Sequence, residues 1–275
     1  MTTMDNGASP IGVFDSGVGG LTVLNALRAA LPHEDLVYLG DTARLPYGTK
    51  SPTSIARYAC QASAHLQAEG IKLLVVACNT ASAVALDALR EQMAPLPVIG
   101  VVEPGATAAV RAVDGGRHLV LATEATVRLG AYRRAIQARD PDARVDELAC
   151  EMLVALAEEG WTDGEIATSI VRRYLAEVDA ERERPDCVIL GCTHFPLLRP
   201  AISAALAGGT TIVDSASTTA QAARTLLDDL GLAAVRTEPG RLTLLATDGA
   251  TRFARVGGRF LGERLEASDI RLVDL

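Results

Sequence analysis

Leu73-Leu74-Val75-Val76-Ala77-Cys78-Asn79-Thr80-Ala81-Ser82 and Cys187-Val188-Ile189-Leu190-Gly191-Cys192-Thr193-His194-Phe195-Pro196 read as two copies of one device. Each opens on an apolar, β-branched run of strand length and reaches a small residue and a cysteine. Each then passes through hydrogen-bonding residues into a helical pattern. In an open α/β sheet, ligands bind outside the carboxyl ends of the strands. The pattern therefore puts Cys78 and Cys192 where chemistry is done, each beside a helix N-terminus that stabilises negative charge.

Outward from these stretches the chain alternates strands with helices. A strand over 11–15 runs into Asp15-Ser16-Gly17-Val18-Gly19-Gly20, and a helix follows with Leu21, Leu24, Leu27 and Leu31 on one face. A strand over 36–40 ends in the loop Asp41-Thr42-Ala43-Arg44-Leu45-Pro46-Tyr47-Gly48, too rich in Pro and Gly to be an element. Ser51-Pro52 starts a helix that ends near Gly70. A helix over 79–93 and a strand over 97–101 come next, and Glu103-Pro104-Gly105 reads as a break.

From there the pattern restarts. A strand over 119–122 leads into Thr123-Glu124-Ala125-Thr126 and a helix over 127–138. A strand over 144–149 and two helical segments over 152–182 follow, interrupted at Gly160-Trp161-Thr162-Asp163-Gly164. After the second cysteine stretch come a turn at Gly208-Gly209, strands over 211–213, 242–247 and 270–273, and helices over 215–230 and 252–261. Such alternation predicts mostly parallel sheets covered by helices on both faces.

Asp15 lies 108 residues before Thr123, and Cys78 lies 114 before Cys192. These similar offsets predict two pseudo-symmetric, three-layer α/β domains related by duplication, with the active site in the cleft between them. The expected division is a flexible tail over 1–10, a first domain over 11–98 plus 209–275, and a second over 99–208.

The 275 residues are 49% hydrophobic and 22% charged, ordinary for a soluble globular protein. Net charge is -8 with no basic run, which argues against nucleic acid and anionic membrane surfaces as partners. No apolar run has the length of a membrane span, and no signal-peptide pattern opens the chain, so a cytoplasmic location is expected. The five cysteines are odd in number and suggest no disulfide framework. Cys60, Cys150 and Cys187 fit structural positions. Neither a Cys-x-x-Cys redox pair nor a convincing zinc ligand set is present, and no metal is expected. Lys50 and Lys72, the two lysines, sit in no cofactor-like context, so no cofactor is expected either.

Asp15 and Ser16 open a Gly-rich turn that does not match the dinucleotide fingerprint. Helix capping accounts for them, as does a carboxylate that holds a thiol proton or a substrate ammonium. His194 can orient the Cys192 thiol, stabilise its thiolate or bind a carboxylate, or simply bond to backbone at a helix start. His33, His65 and His118 read as surface or packing positions. Asn79, Thr80, Thr123, Thr126 and Thr193 supply amide and hydroxyl groups at strand ends, able to bind an anion without Arg or Lys. Two facing thiols suit stereoinversion. A thiolate removes a proton from one face of a carbon and a thiol returns one to the other.

These residues, in this order, resemble the glutamate racemases of the cofactor-independent aspartate/glutamate racemase superfamily. The resemblance rests on Asp15-Ser16-Gly17-Val18-Gly19-Gly20-Leu21-Thr22-Val23, Pro46-Tyr47-Gly48, Ala77-Cys78-Asn79-Thr80-Ala81, Glu103-Pro104-Gly105, Ala122-Thr123-Glu124-Ala125-Thr126-Val127 and Leu190-Gly191-Cys192-Thr193-His194-Phe195-Pro196-Leu197-Leu198. It implies interconversion of L- and D-glutamate for peptidoglycan, with Cys78 acting on the D-isomer and Cys192 on the L-isomer. It implies that Asp15 and His194 assist the thiols. It also implies that Asp15, Ser16, Pro46, Tyr47, Gly48, Asn79, Thr80, Thr193 and His194 contact substrate, with Thr123 and Thr126 at its side-chain carboxylate. An auxiliary glutamate falls on Glu158, where the stretch reads Ala155-Leu156-Ala157-Glu158 and departs from the family's Pro-Leu-Val-Glu. A homodimer is expected on the same ground. Two other readings stay open: a Cys192–His194 hydrolase or amidase working through an acyl intermediate, and a non-catalytic binder of small acidic metabolites. Aspartate and hydantoin racemases are the nearest confusable activities.

Overall fold

The computed structural model describes residues 6–179, 184–206 and 208–275. In chain order the elements are β1 (Ile11–Asp15), α1 (Leu21–Ala30), β2 (Leu36–Gly40), α2 (Pro52–Ala68), β3 (Leu73–Val76), α3 (Asn79–Met93), β4 (Val98–Gly100) and α4 (Val102–Ala112). Then come β5 (Arg117–Ala122), α5 (Glu124–Leu129), α6 (Ala131–Gln137), β6 (Arg144–Ala149), α7 (Glu151–Glu159), α8 (Gly164–Asp179), β7 (Cys187–Gly191) and α9 (Arg199–Ala205). The chain closes with β8 (Thr211–Asp214), α10 (Ser215–Leu230), β9 (Leu242–Ala246), α11 (Ala250–Leu261) and β10 (Ile270–Leu272).

The strands form two sheets, ordered β10-β9-β2-β1-β3-β4 and β6-β5-β7-β8, and every pairing is parallel. The second order repeats the last four strands of the first: β1, β2, β3 and β4 correspond to β5, β6, β7 and β8. In each sheet the chain leaves a central strand to one side and returns to pair on the other. That reversal opens a crevice at the carboxyl ends of β1 and β3, and again of β5 and β7. Asp15 and Cys78 end or follow the first pair, and Thr123 and Cys192 follow the second. Strands β1, β2, β3, β5 and β7 are buried along their whole length, as strands covered on both faces must be. One apolar core runs through both sheets, taking in Ile11, Val13 and Val75 from the first and Leu119, Leu121 and Leu190 from the second.

Several expectations are corrected. Glu103-Pro104-Gly105 does not break the chain; it lies within the first turns of α4. A proline there forfeits only an N–H that has no helical partner. Gly105 fits because a Cβ at that position would lie 3.1 Å from the Tyr132 ring. The helix expected over 127–138 is two, starting at Glu124 and broken at Gly130, whose φ of +58° is the left-handed conformation glycine adopts freely. Strand β8 pairs with β7, so the second sheet extends past the expected division at 208/209. The crossover through α9 returns the chain beside β7, where β8 satisfies that strand's backbone groups.

The expected loose tail is held from Gly7 on. The buried Lys72 ammonium donates to the Gly7 carbonyl at 2.7 Å and pairs with buried Glu34 at 2.6 Å, and the Lys72 N–H donates to Pro10. A buried charge requires such partners. Residues 1–5 of that tail, and the expected end of the second helical segment at Arg182, lie outside the described residues.

Candidate active site

β1 delivers Asp15 to the first crevice almost fully buried. Its Oδ2 accepts from the Gly17 N–H at 3.0 Å and from the Tyr38 hydroxyl at 3.4 Å, and Oδ1 has no partner of good geometry among the described residues. Burial pushes the Asp15 carboxyl up, against the turn's backbone N–H groups and the His194 charge, which pull it down. Cys78 caps α3: its sulfur accepts from the Ala81 N–H at 3.4 Å and its thiol donates to Ser16 Oγ at 3.4 Å. Burial, and then the nearby Asp15 charge, push this thiol up to about 12. A smaller contribution comes from Cys192, so the two thiols lie within electrostatic reach of each other.

The second crevice is built differently. Cys192 follows β7, and its sulfur lies 3.7 Å from His194 Nδ1. His194 starts a 3-10 turn over Phe195–Leu198 rather than an α-helix. Its Nε2 lies 3.2 Å from Glu158 Oε1, and the edge of Phe260 packs on its ring with centroids 5.0 Å apart. Burial alone would disfavour the imidazolium, but the bonds to Cys192 and Glu158 outweigh it and hold His194 up at about 10. The His194 bond in turn holds the Glu158 carboxyl below its ordinary range. At neutral pH this is a protonated histidine between a sulfur and a carboxylate, suited to an anionic sulfur.

The two halves meet along a seam of short side chains. Thr22 donates its hydroxyl to the Thr193 carbonyl at 2.8 Å. A Cβ on Gly19 would lie 2.4 Å from both His194 Nδ1 and Thr193 Oγ1, so only glycine allows the loops to approach this closely. Gly48 packs on Thr123 in the same way, its would-be Cβ 3.3 Å from the Thr123 Cβ. The hydroxyls of Thr80, Thr123 and Thr126 form a buried triangle of 3.0, 3.4 and 3.1 Å sides. Tyr132 donates to Asn79 Oδ1 at 2.7 Å, and the Asn79 amide donates to Ser215 at 3.5 Å.

The residues singled out in the sequence therefore cluster, with Gly48 of the Pro46-Tyr47-Gly48 stretch packed on Thr123. Pro46 is exposed. The Tyr47 hydroxyl is engaged by buried Asp41, at 2.5 Å, and Asp41 also accepts from Arg44 and Thr247 at 3.0 Å each. Sequence reasoning missed Thr22, Asp41, Tyr132, Arg252 and Arg259. Asp41 carried a signal, an acid at the end of β2 as Asp15 is at the end of β1. Tyr132 and the arginines are indistinguishable in sequence from ordinary core and surface positions. Among the described residues no cluster of three or more His, Cys, Asp or Glu side chains could hold a metal ion. No described helix is long and apolar enough to cross a membrane.

Fold and site together define a two-sheet parallel α/β protein with a buried thiol at the carboxyl end of a corresponding strand in each sheet. Residues 21–223 match the Asp/Glu/hydantoin racemase family model. A glutamate racemase of Geobacter metallireducens is 47% identical over 255 residues, 93% of each chain. Among solved structures, the glutamate racemase of Francisella tularensis in complex with D-glutamate superposes with a TM-score of 0.88 at 33% identity, covering 98% of both chains. A Bacillus anthracis glutamate racemase isoform superposes at 0.90 with 36% identity, covering 97% of this chain and 98% of the other. The chain belongs to the Asp/Glu/hydantoin racemase family and is an amino-acid racemase, an isomerase.

Proposed function

We propose that this racemase interconverts L-glutamate and D-glutamate by two-base proton transfer at Cα, with Cys78 and Cys192 as the bases. The observation that carries the reading is the pair of buried thiols at matching strand ends, each with its own set of polar partners. In the L-to-D direction the Cys192 thiolate, beside the His194 imidazolium, takes the Cα proton. The Cys78 thiol returns a proton to the opposite face. Its raised pKa keeps it protonated for that role. The reverse reaction exchanges the two roles. Asp15, at the Cys78 side, relays that thiol's proton or holds the substrate ammonium.

The water-poor cleft supplies fixed dipoles for the carbanionic transition state. The Thr80, Thr123 and Thr126 hydroxyls take the side-chain carboxylate, with Ser16, Asn79 and Thr193 around the α-carboxylate. Pro46, Tyr47 and Gly48 shape one wall. The protein works in the cytoplasm as a homodimer and supplies D-glutamate for peptidoglycan.

The test is proton exchange in D2O, followed by NMR with each glutamate isomer and no added cofactor. Deuterium entering Cα of both isomers, with optical rotation decaying to zero, is the expected result. Cys78→Ala and Cys192→Ala should each abolish racemisation, by about 10²- to 10⁴-fold or more. Loss at Cys192 alone would favour a hydrolase-like site. Exchange with aspartate but not glutamate would reassign the substrate.

A further inference from the structure

Glu158 is held from the other half of the molecule. Helix α11, which packs beside the six-stranded sheet, presents Arg252 and Arg259 two turns apart and therefore on one face. Arg252 Nη2 lies 2.6 Å from Glu158 Oε2. Arg259 donates to the Glu158 backbone carbonyl at 2.6 Å. Phe260, the next residue, is the ring packed edge-on against His194. Glu158 itself lies in the last turn of α7, a helix that follows the edge strand of the four-stranded sheet. Its two carboxylate oxygens divide their work: Oε1 faces His194 and Oε2 faces Arg252. A carboxylate fixed at only one oxygen can swing about its last bond, whereas one fixed at both presents a single orientation to its partner.

We infer that Arg252 is a positioning residue for the Cys192 half of the site: it pins the Glu158 carboxylate across the two lobes, and Glu158 in turn pins the His194 ring beside the Cys192 sulfur. Among the described residues the Cys78 half has no counterpart to this chain: its thiol is bonded directly to Ser16 and to the cap of α3. Loss of Arg252 therefore weakens one base and spares the other. The catalytic consequence rests on the two-thiol reading, but the chain of contacts does not.

The experiment uses that separation. Arg252→Met keeps most of the aliphatic stem and removes the charge. Arg252→Lys restores a cation to one oxygen. The Arg252 side chain is 57% exposed, so both variants are expected to fold. Iodoacetamide alkylation of Cys78 and Cys192 is followed separately by peptide mass spectrometry from pH 6 to 10 on the substrate-free protein. In Arg252→Met the Cys192 rate at pH 7 should fall by roughly fivefold, the scale an exposed ion pair supports. The Cys78 rate should hold. Arg252→Lys should recover much of the loss. Placed in a Glu158→Gln background, Arg252→Met should add nothing, because the two act through one contact.

A Cys192 rate that is unchanged or faster in Arg252→Met overturns the inference, as does an equal loss at both thiols. Racemisation assays run beside it should show kcat falling in step with Cys192 reactivity. If the wild-type protein exchanges no Cα proton of glutamate, the two-thiol reading fails while the alkylation result still decides the positioning role.

Discussion

Thr22 and Thr193 are 171 positions apart in sequence, yet the hydroxyl of the first donates to the carbonyl of the second at 2.8 Å. The same hydroxyl touches the Gly19 carbonyl at 3.0 Å. One small side chain at the start of α1 thus fixes the loop after β1 against the loop that carries Cys192. Its burial leaves water no substitute role. Thr22→Val keeps the shape and leaves the Thr193 carbonyl without this donor. We expect a loss of about 1–3 kcal/mol in urea unfolding, the penalty for stranding a buried acceptor. Thr22→Ser should retain most of the stability.

Gly19 tests the same approach sterically. A methyl group there would stand 2.4 Å from both the His194 ring and the Thr193 hydroxyl, far inside contact distance. Gly19→Ala must push His194 away from Cys192. Turnover should fall by about 10²-fold, the cost of displacing a catalytic group by roughly an ångström. Circular dichroism should show the secondary structure intact. Wild-type turnover in this variant would mean that the ring's position is not needed.

The His194 linkage has a defined sign. Its folded pKa, about 10, lies above the ordinary 6.5, so the folded state holds the proton more tightly. The stability it contributes is complete below pH 6.5, shrinks above it, and is lost as pH rises through about 10. Urea unfolding of wild type and His194→Asn at pH 6, 8 and 10 measures this directly. The gap between the two proteins should be widest at pH 6 and narrow towards pH 10.

His118 gives the opposite behaviour. It is fully buried in β5, and neither ring nitrogen has a hydrogen-bond partner among the described residues. Burial pulls its pKa down, with Asp140 and Asp186 opposing. The unfolded chain then binds the proton more tightly. The stability this provides is present above pH 6.5 and is lost as pH falls through the lower folded pKa. His118→Phe keeps a ring of similar shape without the titration. Its stability should decline less steeply than wild type between pH 6.5 and 5 in urea titrations.

The sequence by itself determined the strands, the parallel class and the main candidates. β-branched runs closed by small or polar residues mark β1, β3, β5 and β7 because strands buried on both faces must be apolar throughout. Cys78 and Cys192 stood out for the same local reason, as polarisable groups where an apolar run stops. The Pro and Gly of Glu103-Pro104-Gly105 misled because local rules weigh them as breakers, whereas their position in the first turns of α4 makes them harmless. What only the tertiary structure decided is how the two halves meet. Thr22 on Thr193, Tyr132 on Asn79 and Arg252 on Glu158 join residues 171, 53 and 94 positions apart. No periodicity or spacing encodes such pairs. They form because folding packs elements of the two sheets against each other and leaves polar groups along that seam to find partners across it.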